Sequence, residues 1–184
     1  MRESAARNPL VEAARRGLLD GTIPWVSGQN GNGTFDLGCL VWLLTGDAQV
    51  GERARSMIVE LCSKPNWSRR RDPLVMGGEN DRGMGLALYD CAIAWDYLKP
   101  LLSESDRALV LAKMEKYLRV IYDFTVLQRG YMGQPSIDPH SLGTWFAAGI
   151  ACISFYDDLP VARRILPFFH GLMADSLRLS LIHI

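Results

Sequence analysis

The residues of this chain that could do chemistry gather in three long polar segments. Residues 20–34 carry Trp25, Gln29, Asn30 and Asn32. Residues 64–82 carry Trp67, Arg69, Arg70, Arg71, Glu79, Asn80, Asp81 and Arg82. Residues 127–140 carry Arg129, Tyr131, Gln134, Asp138 and His140. Aromatic rings stack on sugar faces, amides bond to hydroxyls, and guanidinium groups grip carboxylate or sulfate. The mixture therefore suits a carbohydrate. Each member also has a plainer reading. Trp25 and Trp67 could plug their links into the protein, Arg69–Arg71 could be a solvated turn, and His140 could cap the helix that follows it.

Several chemistries are disfavoured. Only three histidines occur, and none of the four cysteines (Cys39, Cys62, Cys91, Cys152) is spaced with another as a metal or redox pair. Neither a metal site nor a bound cofactor is expected. The glycine clusters follow no strand and do not read as a nucleotide loop. Lys+Arg and Asp+Glu both total 20, so no net field would draw in nucleic acid or an anionic membrane. The cysteines leave the redox compartment open. MRESAARNPL shows no leader pattern.

Helices must position these segments. Apolar residues make up 48% of the chain and charged residues 22%, a globular composition. Phe35–Thr45, Met84–Tyr97 and Ser141–Tyr156 are apolar nearly all round, which predicts helices covered on most sides. Between them lie amphipathic stripes: Val50, Ala54, Met57, Ile58 and Leu61; Val110, Met114, Tyr117, Ile121 and Phe124; Val161, Ile165, Phe168, Phe169, Leu172 and Met173. Their start signals fall at Asp47, Ser103 and Asp158, so the period is about 55 residues. Asn8-Pro9 opens one further amphipathic helix that ends near Gly21. Stacked helical hairpins follow, with buried helices inside and amphipathic ones outside. The fold class expected is all-α: an incomplete (α/α) toroid of about three and a half hairpins spanning 1–178, with 179–184 a non-native or truncated tail. Such an arc should leave apolar faces uncovered at its ends. Because the links from outer to inner helices are the long ones, all three should crowd one end of the stack.

Three stretches resemble the helical domain of heparinase II/III-like and alginate-lyase-like polysaccharide lyases. They are FDLGCLVWLLTGDAQVGERARSMIVELCSKPNW, GLALYDCAIAWDYLKPLLSESDR and GQPSIDPHSLGTWFAAGIACISFYDD. The resemblance covers most of residues 35–178. It implies an (α/α) toroid followed in the same chain by a β-rich domain, a periplasmic or secreted protein, and β-elimination of an acidic, uronate-containing polysaccharide. A base then removes the C5 proton of a uronic acid whose carboxylate is neutralised by hydrogen bonds, and the C4–O bond breaks. His140 matches the family histidine before the inner helix, and Tyr131 is a stand-in for the family tyrosine. These two are the catalytic candidates. Relatives carry Asn directly before that histidine; here Pro139 stands there and Asp138 precedes it, so Gln134 takes the carboxylate-binding role. The remaining substrate-binding candidates are Asp138, Trp145, Trp67, Arg71, Glu79, Asn80 and Arg82. Two alternatives stand beside the lyase. A toroid glycoside hydrolase would pair Glu79 or Asp81 with Asp138 across a cleft. A non-catalytic helical-repeat module would bind sugar or protein through the same links.

Overall fold

A computed structural model describes residues 8–27, 33–67, 80–127 and 139–182, with the side chains of 80–82, 139–142 and 179–182 outside the description. Seven α-helices and no strand occur among the described residues: α1 Pro9–Asp20, α2 Phe35–Thr45, α3 Ala48–Ser63, α4 Asn80–Leu98, α5 Glu104–Val126, α6 Pro139–Ser154 and α7 Pro160–Ile182. A single 3₁₀ turn, Lys99–Leu101, joins α4 to α5. None of these helices is long and apolar enough to cross a membrane. The all-α expectation holds. Helix α4 begins four residues earlier than Met84, and α6 begins two residues before Ser141.

The local signals act as their chemistry requires. The Asn8 side chain accepts from the Leu10 backbone N–H, and Pro9 fills the first turn of α1. Asp47 accepts from Gln49 and Val50 at the start of α3. Ser103 and Asp106 form a reciprocal capping box on α5. Gly21 and Gly46 close α1 and α2 in the left-handed conformation, with φ of 82° and 70°.

Like helices stack on like, and in parallel. In the inner layer, an added Cβ on Gly85 would stand 3.0 Å from the Thr144 backbone. At the other end of the same two helices, the Ser154 hydroxyl donates to Asp96 at 2.8 Å. Helices α4 and α6 therefore run side by side in one direction, with their starts together. Leu37 and Leu40 of α2 share a groove with Tyr89, Ile93 and Tyr97 of α4. The outer layer repeats the pattern. Arg55 bonds to Asp106 across 51 positions, and Trp67 meets Tyr117 across 50. The period read from the helix starts is thus a physical stacking distance in both layers.

Two devices recur from hairpin to hairpin. The first is a cation set against the carboxylate that opens the next outer helix. Arg15, gripped by Glu12, reaches Asp47 at 2.8 Å. Arg55, gripped by Glu52, reaches Asp106 at 2.5 Å. Lys99 reaches Asp158 at 2.8 Å, and the Trp95 indole donates to the same carboxylate. Burial would raise the pKa of each aspartate, but hydrogen bonds to the cations and to nearby donors outweigh it and leave all three below the ordinary carboxylate value.

The second device is a tryptophan that follows an outer helix and folds back on it. The Trp25 indole donates to the Leu18 carbonyl at 3.0 Å, and the Trp67 indole to the Leu61 carbonyl at 2.9 Å. Leu18 and Leu61 lie in the last turns of α1 and α3, where carbonyls lack intrahelical donors. Each tryptophan satisfies one such carbonyl and buries apolar ring area in the same move.

The hairpin α2–α3 is tightened by Gly51, whose missing Cβ leaves room for the Trp42 indole. Alanine is the better helix former by about 1 kcal/mol, yet its methyl would overlap a ring that is itself in the core. Gly51→Ala should therefore destabilise the chain by about 1–3 kcal/mol, read as a lower urea midpoint at unchanged slope; a gain in stability would show that the indole moves aside.

The acid response follows from the three aspartates. A carboxylate with a depressed folded-state pKa adds stability above its unfolded pKa and loses it as pH falls through the folded value. Stability should hold above about pH 5 and decline below about pH 4. In Asp158→Asn the decline should be shallower while stability at neutral pH is lower, as followed by helical circular dichroism across a pH series.

Candidate functional site

The parallel pair α4 and α6 places the first turns of both inner helices next to each other. The link 64–82 ends on one of these turns and the link 127–140 on the other. Asn80 and Arg82 lie in the first turn of α4, and His140 in the first turn of α6. Their backbones are thereby gathered at one end of the inner layer. Arg71, Glu79, Tyr131, Gln134 and Asp138 lie outside the described residues, as do the side-chain positions of Asn80, Arg82 and His140. Trp67 follows the C-terminal end of α3, from which the chain leads to that same end.

Two of the candidates are described in full, and both are in the core. Trp67 is 3% exposed. Its ring stacks on Tyr117 with centroids 4.3 Å apart, and its backbone N–H donates to the Tyr117 hydroxyl at 2.7 Å. A sugar-stacking role needs an open ring face, and this ring has given its face to Tyr117. The assignment of Trp67 to substrate is corrected to the plug reading, for the reason already seen in its bond to Leu61. Trp145 is 6% exposed, one turn beyond His140 on α6. Its indole N–H is buried with no acceptor among the described residues.

Buried polar groups beneath this end were passed over in the sequence. Asp90 on α4 is 3% exposed, and it accepts a hydrogen bond from the Ser27 hydroxyl at 2.7 Å. A carboxylate so deep is retained only where donors meet it, and here the first link, 20–34, supplies one. The chain before α2 is further fixed by Trp25, whose ring occupies the space left by Gly38. The signal for Asp90 was visible as an acidic residue inside an otherwise apolar helix. Thr144, 1% exposed, is the other polar group buried in this region of the inner pair.

A second feature lies on the side of the inner layer away from the outer helices. Asp36, Leu37, Leu40, Tyr89, Ile93 and Tyr97 line a shallow groove of about 280 Å³. Burial, with the nearby Asp36 and Tyr97, raises the Tyr89 phenol above its ordinary pKa, so it stays protonated as a donor at neutral pH. A wider groove lies elsewhere, between α1 and α3. It measures about 820 Å³ and is open and lined by Leu18, Trp25, Gln49 and Arg53 among others. It touches none of the three links except through residues 20–25. No cluster of three metal-ligating side chains occurs among the described residues.

No family model, no curated protein and no solved structure matches the chain.

Trp145 can be tested directly. An unpaired buried donor costs about 1–3 kcal/mol, and Trp145→Phe removes it at the expense of some ring volume. The variant should unfold in urea within about 1 kcal/mol of the parent chain. A loss of more than about 3 kcal/mol would mean that the N–H is paired in solution.

Proposed function

We propose that this chain is an arc of an (α/α) toroid belonging to a polysaccharide lyase, acting on a uronate-containing polymer at the end of the inner layer where α4 and α6 begin. The observation that carries the reading is the close parallel contact at Gly85 and Thr144. It brings the starts of two inner helices together and so gathers the two links richest in amide, guanidinium, phenol and imidazole groups. The resemblance of the three helical stretches to heparinase II/III-like lyases supplies the chemistry.

The toroid part of the reading is supported by what the inner layer exposes. Leu40 on α2 is 40% exposed and Ile153 on α6 is 62% exposed. Further inner helices closing a ring would stand across from such side chains and shield them.

In the proposed reaction a uronate sits with its carboxylate against neutral or cationic donors, for which Gln134 and Arg82 are the candidates. Hydrogen bonds to the carboxylate delocalise the charge that develops when the C5 proton leaves. His140 or Tyr131 accepts that proton as base, and the other donates a proton to the departing C4 oxygen. The products are one fragment with a new reducing end, which keeps the departing oxygen, and one fragment whose new non-reducing end is the 4,5-unsaturated uronate. Asp138 beside the histidine would repel a uronate unless it is protonated or turned away, which favours polymers with few carboxylates near the cleaved bond.

The test is an assay on alginate, heparan sulfate and related acidic polymers, using the longest protein that carries this chain. Ultraviolet absorbance of the unsaturated uronate should appear, and His140→Ala should lower turnover by about a hundredfold or more with the helical spectrum intact. Cleavage without unsaturation would replace the lyase by a hydrolase. Near-normal turnover in the variant would remove His140 from the site.

A further inference from the structure

Four cysteines occur, and all four are buried as free thiols. Two of them are not alone. Cys62, in the last turn of α3, and Cys91, in the middle of α4, face each other with sulfurs 3.7 Å apart. That is van der Waals contact between thiols from an outer and an inner helix. They are separated by 29 positions, and the chain between them contains the whole 64–82 link.

We propose that Cys62 and Cys91 form a redox pair that closes to a disulfide under a peroxide-class oxidant, covalently ringing the 64–82 link and tying α3 to α4. The geometry supports closure, because the sulfurs already touch, and side-chain rotation with an approach of the two helices brings them to bonding distance. Burial, and after it the contact with Cys62, raises the Cys91 thiol well above its ordinary pKa. Lys113 of α5, which donates to the Lys64 carbonyl beside Cys62, is a smaller influence in the opposite direction. Closure is therefore slow, and it suits a small oxidant that can enter a packed interface.

The step balances with hydrogen peroxide. One thiolate attacks a peroxide oxygen, the O–O bond breaks, and a sulfenic acid and hydroxide form. The second thiolate then attacks the sulfenic sulfur, the S–S bond forms, and the S–O bond breaks with loss of hydroxide. The two thiol protons and the two hydroxides make two waters. Each sulfur is oxidised by one electron and the peroxide is reduced by two.

The pair differs from Cys39 and Cys152, which are equally buried but make no contact with another cysteine among the described residues. This contrast gives a position-specific test. The folded chain is treated with hydrogen peroxide, and remaining thiols are alkylated in denaturant. After digestion without reductant, the peptides are weighed. The expected result is one cross-linked species joining the Cys62 and Cys91 peptides, lighter by two hydrogens and reversed by dithiothreitol, with Cys39 and Cys152 alkylated. The oxidised chain should melt about 5–10 °C higher, as expected for closing a loop of this length in a domain of this size. Cys62→Ser and, independently, Cys91→Ala should abolish both the cross-link and the shift. Four alkylated thiols after oxidation, oxygen adducts at Cys62 or Cys91 without a cross-link, or cross-links drawn equally from all four cysteines would each overturn the proposal. The peptide readout on the unsubstituted chain stands even if a variant fails to fold.

Discussion

The structure depends on a charge contact made at the same place in successive hairpins. An aspartate stands at the start of each outer helix after α1, and its carboxylate receives a cation from the preceding hairpin; Asp47 and Asp106 also accept from backbone N–H groups there. Arg15 serves Asp47, Arg55 serves Asp106, and Lys99 serves Asp158. Each aspartate thereby satisfies local N–H groups or an indole on one side and a neighbouring unit on the other. Isolated surface ion pairs contribute little. Here the carboxylates are largely covered, and their lone pairs are shared among several donors, so the contact also fixes where the next hairpin sits. The Glu12–Arg15 and Glu52–Arg55 pairs hold each guanidinium in position before it reaches across.

That placement has consequences for the opposite end of the stack. A helix is stiff over its length, so fixing the start of each outer helix against its predecessor also fixes the far end from which the long links depart. The tryptophans that follow α1 and α3 close those far ends and define where the links leave the core. In the inner layer the glycine at 85 lets α4 approach α6 closely. The first turns of the two helices then start within about one interhelical spacing, roughly 8–10 Å, of each other. Residues distant in sequence, around 80 and around 140, become neighbours through that single missing Cβ.

Much of this fold was legible in the sequence. Periodicity separated the two kinds of helix, and the caps at Asn8, Asp47 and Ser103 marked true starts because capping is local chemistry. The repeat followed from those starts. The sequence could not give the partners of Arg15 or Arg55, since a surface arginine on an amphipathic helix looks the same whether or not another hairpin lies beside it. Trp67 was misread for a related reason. An aromatic residue in a polar link suggests a ligand platform, and only the bond to the Leu61 carbonyl and the stack on Tyr117 reveal a plug. Asp90 was legible as an oddity but not as a contact, because its described donor, Ser27, comes from 63 positions away. Cys62 and Cys91 were invisible as a pair on the same ground: no local spacing rule anticipates two sulfurs that meet across layers.

The two layers therefore divide the physical work. Ion pairs and caps are concentrated on the outer helices, and they set stability and its dependence on pH. The inner helices bury small residues, Ala92, Ala148 and Ala151, and meet closely at Gly85, with a buried carboxylate that accepts from the first link. These residues set distances rather than charge. A site built where inner helices begin inherits its spacing from backbone packing and its chemistry from the links. Most residues that hold the frame lie in the helices and their short turns, and the roots of two links add Trp25, Ser27 and Trp67. Both tryptophans sit about one turn from the helix they close, so the frame runs past the helix end into the first residues of these two links.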